Sequence, residues 1–373
     1  MKRIKLYKNR YVGDEDPCFI IAEAGSNHDC DFAQAKRLVE IAAEARADAV
    51  KFQLFKAEDL YPANCGKIET TMGKIDFFEA LKNMELSSSW LTTLKKYANK
   101  CGLEFICTPF SEKAAKIMHR TGIKVYKIAS PELNHLPLLK FISKYNLPII
   151  LSTGISKLGD IEEAIETCVK EGNNKIILLH CVSAYPTPLS ECNLNVINTL
   201  KIVFNRPVGL SDHTLSFDLV PSIAVAAGAN VIEKHFTVSR KLRGLDHPFA
   251  LEPSELKQMV KEIRKIEKIS SKKRFNFLRK KYGLSKVNKV LGTAHKTLAS
   301  SEEELYICDR RSLRVSQKIM KGELLTKKNV DILRSERNLQ PGLHPRYFEL
   351  VLDKKAKKSL GVGQEICWGD FKF

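Results

Sequence analysis

The strongest constraint on what this chain can fold into is a recurring element type. Short, β-branched apolar runs appear eight times in its first two-thirds: CFIIAEA (18–24), ADAVKFQ (47–53), LEFICTP (103–109), IKVYKIAS (123–130), LPIILST (147–153), KIILLHC (175–181), RPVGLSD (206–212) and ANVIEKH (229–235). Amphipathic helical patterns such as DFAQAKRLVEIAAEA and SEKAAKIMHRTG lie between them. Near-continuous apolar strands are those of a parallel sheet buried on both faces, and eight strand–helix units close into a (β/α)8 TIM barrel more economically than they spread into an open sheet.

At 373 residues with 44% hydrophobic side chains, the chain is long enough for one large core plus a smaller unit. Its ten cysteines are scattered without a C-x-x-C pair, which suits reduced thiols and argues against a zinc knuckle. The charged N-terminus has no apolar stretch behind it, and no apolar run approaches the ~18 residues that cross a bilayer. A soluble, cytoplasmic protein without a membrane partner is expected. The net charge of +18 raises the question of nucleic acid. Much of the excess sits in residues 257–289, a helix-like tract without an aromatic-studded basic strand or a recognition helix, so a solvated basic helix is the better reading and no nucleic-acid partner is expected.

Every candidate strand ends polar: Glu23, Lys51 with Gln53, Thr108, Lys127 with Ser130, Ser152, His180 with Ser183, Ser211 with His213, and Glu233 with His235. Side chains two apart share a face, so these pairs project together toward the C-terminal mouth, where barrel enzymes build their sites. Imidazoles at the same level of consecutive strands, His213 and His235, supply ligands for a divalent metal while leaving positions open. His180 and His28 are read as structural. A lysine inside an apolar strand costs several kcal/mol unless its ammonium finds an anion. Lys51 and Lys127 therefore either pair with Glu23 or Glu233, or form a phosphate or carboxylate site with the hydroxyls of Thr108, Ser130, Ser152 and Ser211 and the backbone N–H groups of 152–154.

The motifs AEAGSNH, VKFQ, TPF, KIAS.E, STG, LLHC.SAYPTP, SDHT and IEKHFT....GLDH...LEP resemble the sialic acid synthase family, in order along essentially the whole chain. The stretch from RRSLRVSQ to LDKKA resembles that family's small antifreeze-like (SAF) domain. The resemblance implies a barrel over 1–265, a basic helix and linker over 266–305, and the SAF domain over 306–373. It implies condensation of phosphoenolpyruvate with an N-acylated mannosamine-type sugar to a nine-carbon 2-keto acid, assisted by a divalent metal, manganese before magnesium or cobalt, on His213 and His235. By the same resemblance Lys51, Thr108, Lys127, Ser130, Ser152 and Ser211 contact phosphoenolpyruvate with Gln53 beside them. Glu23 stands near the metal-bound water, while Glu132, Tyr185 and Asp246 handle the sugar. Arg337 reaches the sugar's N-acyl group from a partner subunit, in a homodimer whose small domains are swapped. Residues 61–87 are expected to help set sugar specificity, and Cys30 stands where the family has glycine. The competing readings are a related phosphoenolpyruvate-dependent synthase of shorter keto acids, which the appended domain argues against, and a carbohydrate- or ice-binding protein, for which the C-terminal unit is too densely charged.

Overall fold

The computed structural model describes residues 3–70 and 73–372. Eight parallel strands close into a barrel: β1 Phe19–Gly25, β2 Ala49–Leu54, β3 Glu104–Pro109, β4 Tyr126–Ile128, β5 Ile149–Ser152, β6 Ile176–Cys181, β7 Val208–Asp212 and β8 Val231–His235. Each pairs with its neighbour in sequence, and β8 returns to β1 with His235 opposite Glu23. Six lie within the expected runs, and β1 and β2 extend one residue past theirs, to Gly25 and Leu54.

Alternation along the strands sorts the side chains. Ile20, Ala22, Val50 and Phe52 point outward into the core shared with the surrounding helices. Phe19, Ile21, Ala49, Ile106, Val125, Ile150 and Ile177 fill the interior, together with Ile4, Leu6 and Val12 of an N-terminal hairpin, Ile4–Tyr7 with Arg10–Val12, that plugs the barrel's N-terminal end. That hairpin has no counterpart in the sequence reading.

Inside 266–305 the chain is more ordered than a linker. Helices Ser271–Tyr282 and Leu284–Leu291 turn at Gly283, whose φ of +89° is open to glycine. Their Leu278, Val287 and Val290 join the barrel's outer core, while Lys272, Lys273 and Lys280 stay exposed. No helix among the described residues is long and apolar enough to cross a membrane.

The small domain pairs Ser312–Val315 antiparallel with Val330–Leu333 around its own core of Leu313, Ile319, Val330, Ile332 and Phe371. It docks on the barrel of the same chain. Arg310 meets Asp160 at 2.7 Å, Arg346 meets Glu163 at 2.7 Å, and the Arg334 amide donates to the Leu60 carbonyl at 2.9 Å. Within this chain these contacts of the small domain are made in cis.

Candidate active site

Following the inner face of each strand from its N-terminal to its C-terminal end, apolar residues give way to polar ones. Ile21 is followed by Glu23, Ala49 by Lys51 and Gln53, Ile106 by Thr108, Val125 by Lys127, Ile150 by Ser152, and Val231 by Glu233 and His235. The polar layer closes over an oily one, and its charges must satisfy each other.

They do so densely. Lys51 Nζ lies 2.9 Å from Glu23 Oε1 and 3.7 Å from Glu233 Oε1, and donates to Thr108 Oγ1 at 3.2 Å. Lys127 Nζ reaches Glu233 Oε1 at 3.2 Å and Ser152 Oγ at 2.8 Å. Ser211 donates to Glu233 at 3.2 Å, and Gln53 donates to Glu23 at 2.7 Å. Both alternatives left open for the lysines thus meet in one place, with carboxylate partners and hydroxyls around the same two ammonium groups.

Burial raises Glu23, and repulsion from Glu233 adds to it against the pull of Lys51, so its pKa lies above the ordinary carboxylate range. Burial acts the same way on Glu233 but is outweighed by Lys127 and Lys51, which hold its pKa well down. Two neighbouring carboxyls are thus driven apart, one suited to carry a proton and one fixed as an anion. Burial also lowers Lys127 despite Glu233, whereas at Lys51 the two carboxylates win and its pKa is raised.

The SDHT and IEKHFT stretches work as a pair through their outward residues. Ser211, His213, Glu233 and His235 project to the site, while Asp212 and Lys234 between them turn away. These two are cross-strand partners and form a fully buried ion pair at 2.9 Å, with Lys234 also donating to Thr214. The pair pins β7 to β8 and so fixes the two histidines at the same height.

The imidazole centroids are 5.6 Å apart, with the Tyr185 ring 4.3 Å from His213 and 6.4 Å from His235. His213 Nδ1 bonds the Val182 carbonyl at 2.9 Å, and as donor there it leaves a lone pair on Nε2. His235 Nδ1 is buried without a hydrogen-bond partner, 3.9 Å from Asp246 Oδ2, and burial lowers its pKa to about 3, so the ring is neutral. At His213 burial is outweighed by the Cys181 thiol, 3.8 Å from Nδ1, which raises its pKa, so the neutral ring with a free lone pair that suits a divalent metal is that of His235. No set of three or more His, Cys, Asp or Glu among the described residues converges to hold one, so the remaining ligands would have to be water or substrate.

Ser130 belongs to the same wall, accepting from Gly154 N at 3.0 Å. A Cβ on Gly154 would come 2.3 Å from Ser183 Oγ and 2.8 Å from Ser130 Oγ, so only glycine lets these groups close on the cradle. Asp246 accepts from Ser26 at 3.1 Å and lies over Gly25, where a Cβ would approach its Oδ2 to 2.8 Å.

Two residues expected to contact the sugar have ion-pair partners within the chain. Glu132 is fully buried and bound by Arg334 Nη2 at 2.6 Å and Arg311 Nη2 at 3.1 Å, because two guanidinium groups of the small domain need a counter-ion where that domain docks. Arg337 is about half exposed and held by Glu304 at 2.9 Å and Glu336 at 2.8 Å rather than facing the mouth unpaired. Arg334 instead sits at the rim, over the rings of Tyr61 and Phe110. The sequence reading missed Arg311 and Arg334, although a cation in the apolar runs RRSLRV and DILRS carries the signal used for Lys51. It also missed Lys296, brought over the mouth by the chain's return: burial lowers its pKa against the attraction of Glu302, and Cys181 is among its neighbours. Glu302 ties that return down, accepting from Ile155 N at 2.7 Å and Ser183 N at 2.8 Å. Within 61–87, residues 71 and 72 lie outside those described; Lys67–Thr70 and Gly73–Asp76 form a hairpin, and Asn338 of the small domain donates to the Cys65 carbonyl at 2.9 Å.

Fold and site together define the class, an enzyme of the synthase kind built on a (β/α)8 barrel with a charged, polar mouth and a C-terminal SAF domain. The SAF domain matches residues 310–372, and the NeuB family matches residues 38–274. The chain belongs to the NeuB family. It is 40% identical over 367 residues to the spore coat polysaccharide biosynthesis protein SpsE of Bacillus subtilis, covering 97% of this chain and 95% of that one. It is 37% identical over 346 residues to an N,N'-diacetyllegionaminic acid synthase of Campylobacter jejuni, covering 91% and 96%. The crystal structure of the Bacillus subtilis SpsE protein superposes with a TM-score of 0.84 at 37% identity, covering 100% of this chain and 99% of that one.

Proposed function

We propose that the protein condenses phosphoenolpyruvate with an N-acylated mannosamine-type sugar and water, giving a nine-carbon nonulosonic 2-keto acid and inorganic phosphate. The observation that carries this reading is the pair of buried lysines at the mouth. Two ammonium groups ringed by Thr108, Ser152, Ser211 and Glu233 suit a small dianion that displaces the internal carboxylates. The names of the relatives, synthases of legionaminic and pseudaminic acids, support the product class.

In this reading Lys51 and Lys127 hold the carboxylate and phosphate of phosphoenolpyruvate with its C3 toward the histidines. C3 attacks C1 of the open-chain sugar and forms the new C–C bond as the C1=O π bond breaks; the C1 oxygen takes up a proton to become a hydroxyl, and C2 is left with the cationic character to which water adds. Glu23, with its raised pKa and an unpartnered buried Oε2, orients a water and takes its proton as the water adds at C2. Phosphate then leaves with the bridging oxygen, its charge met by the lysines and hydroxyls, and the 2-keto group forms. A divalent metal bound by His213 and His235 would supply Lewis-acid polarisation of the sugar aldehyde. Tyr185 and Asp246 border the space the sugar would fill. The acceptor classes to compare are N-acetylmannosamine, its 6-phosphate and a diacetamido-trideoxyhexose.

The test is a panel of these acceptors with phosphoenolpyruvate, read by phosphate release and product mass. Label in the bridging oxygen should appear in phosphate, and chelation should abolish turnover until a divalent ion is restored. No phosphate release with any acceptor refutes the reading. Label retained in the keto acid refutes C–O cleavage, and full activity in metal-free protein refutes the metal's part.

A further inference from the structure

At the end of the barrel opposite the mouth lies a cleft of about 860 Å3, within the range of small-molecule sites. Its walls are the hairpin strand Ile4–Tyr7 and the chain segments entering β4 to β7. Arg3, Lys5, Lys124, Lys175 and Arg206 line it, and no carboxylate does. Arg3 is neutralised by Asp16 at 2.5 Å, but among the described residues the other four have no carboxylate within ion-pair distance. Among the described residues Lys175 Nζ donates to the Asn146 carbonyl at 2.8 Å and to no carboxylate.

Arg206 is the built feature. Its Nη1 and Nη2 donate to Asn174 O at 2.9 Å and Asn174 Oδ1 at 2.6 Å, which fixes the guanidinium plane, while its Nε–H is buried without an acceptor. Several like charges facing one space are unfavourable, and an anion in the cleft relieves them. A buried carboxylate on this side of the barrel, Glu104, lies outside the lining and is already faced by Lys95, Lys124 and Lys8. The rest of the wall mixes asparagines, Asn146, Asn174 and Asn205, with apolar and aromatic groups, of which Tyr7, Leu147 and Phe204 are half-buried around the cations.

We propose that this cleft is a second ligand site, taking a phosphate-bearing organic anion of nucleotide size. Its phosphates lie against Lys124, Lys175 and Arg206, and its flat, less polar part against Phe204 and Leu147. None of these groups belongs to the mouth, so the site stands or falls independently of the reaction proposed there.

Calorimetric titration of the full chain with magnesium-free ATP, and separately with tripolyphosphate, tests it. ATP should bind the wild-type protein more tightly than tripolyphosphate, and the double variant Lys124→Glu, Lys175→Glu should weaken ATP at least about tenfold with the fold intact, since both lysines are exposed. Lys127→Met at the mouth should leave ATP binding unchanged. So should Lys272→Glu with Lys273→Glu, which alters net charge equally on the exposed basic helix. Absence of ATP binding, equal loss in that charge control, or loss in Lys127→Met with retention in the cleft variant overturns the site. Tripolyphosphate binding as tightly as ATP overturns the assignment of an organic ligand.

Discussion

Asp212→Ala is the sharpest test of how the site is held. Asp212 and Lys234 are each about 1% exposed, 2.9 Å apart, and on adjacent strands as direct cross-strand partners. The substitution strands the Lys234 ammonium with only Thr214 as partner, and also removes the acceptor of the Thr214 amide, which Asp212 Oδ1 receives at 2.8 Å. Removing one partner of a buried ion pair costs about 3–5 kcal/mol, and a buried N–H left unmade adds about 1 kcal/mol or more. The expected loss is therefore on the order of 4–6 kcal/mol, or roughly 8–12 °C at about 2 °C per kcal/mol for a chain of this size. The double variant Asp212→Leu, Lys234→Met removes both charges and should cost far less than the sum of the singles. Equilibrium urea denaturation followed by circular dichroism reads the double variant and the singles Asp212→Leu and Lys234→Met beside Asp212→Ala, with the exposed Lys170–Glu166 pair as a control that should not move. A single-variant loss below about 1 kcal/mol, or singles that simply add, would refute the claim that this pair locks β7 to β8.

Gly154→Ala should fold normally but lose at least about tenfold in turnover, because its methyl would collide with Ser183 and Ser130; steady-state kinetics at matched melting temperature checks it. Cys30 adopts φ of +54°, the left-handed region that explains the family's glycine, so Cys30→Gly should gain about 0.5 kcal/mol in denaturation; a loss would mean that the thiol contacts with Asn83 and Glu85 carbonyls outweigh the strain. Burial lowers His28 to about 4, whereas in the unfolded chain it titrates near ~6.5. Below about pH 6.5 the unfolded state binds a proton that the folded state refuses, so this contribution to stability should fall from pH 6.5 toward 4 by on the order of 3 kcal/mol and level off below, a slope that denaturation midpoints should show reduced in His28→Gln.

The barrel and much of the mouth were legible because both are written in local period. Apolar runs of strand length at regular spacing specify the eight strands, and the shift from apolar to polar at each C-terminal end marks the inner face. Lys51, Lys127, His213 and His235 stood out because charge inside an apolar strand needs a reason. The hairpin plug, the packing of residues 271–291 on the barrel and the clefts carry no such signature, since they depend on which surfaces are left uncovered after the barrel has closed.

The sequence by itself determined the parallel barrel, its mouth and the residue types that line it, since strand alternation turns spacing directly into facing. Only the tertiary structure decided who pairs with whom. Glu233 meets both lysines because β8, β2 and β4 converge across the barrel's interior, Glu132 is taken by Arg311 and Arg334 because the small domain docks in cis, and Lys296 reaches the mouth because the chain folds back over it. These partners are separated by tens to hundreds of residues, and no local pattern records a contact that exists only once the chain is closed around its core.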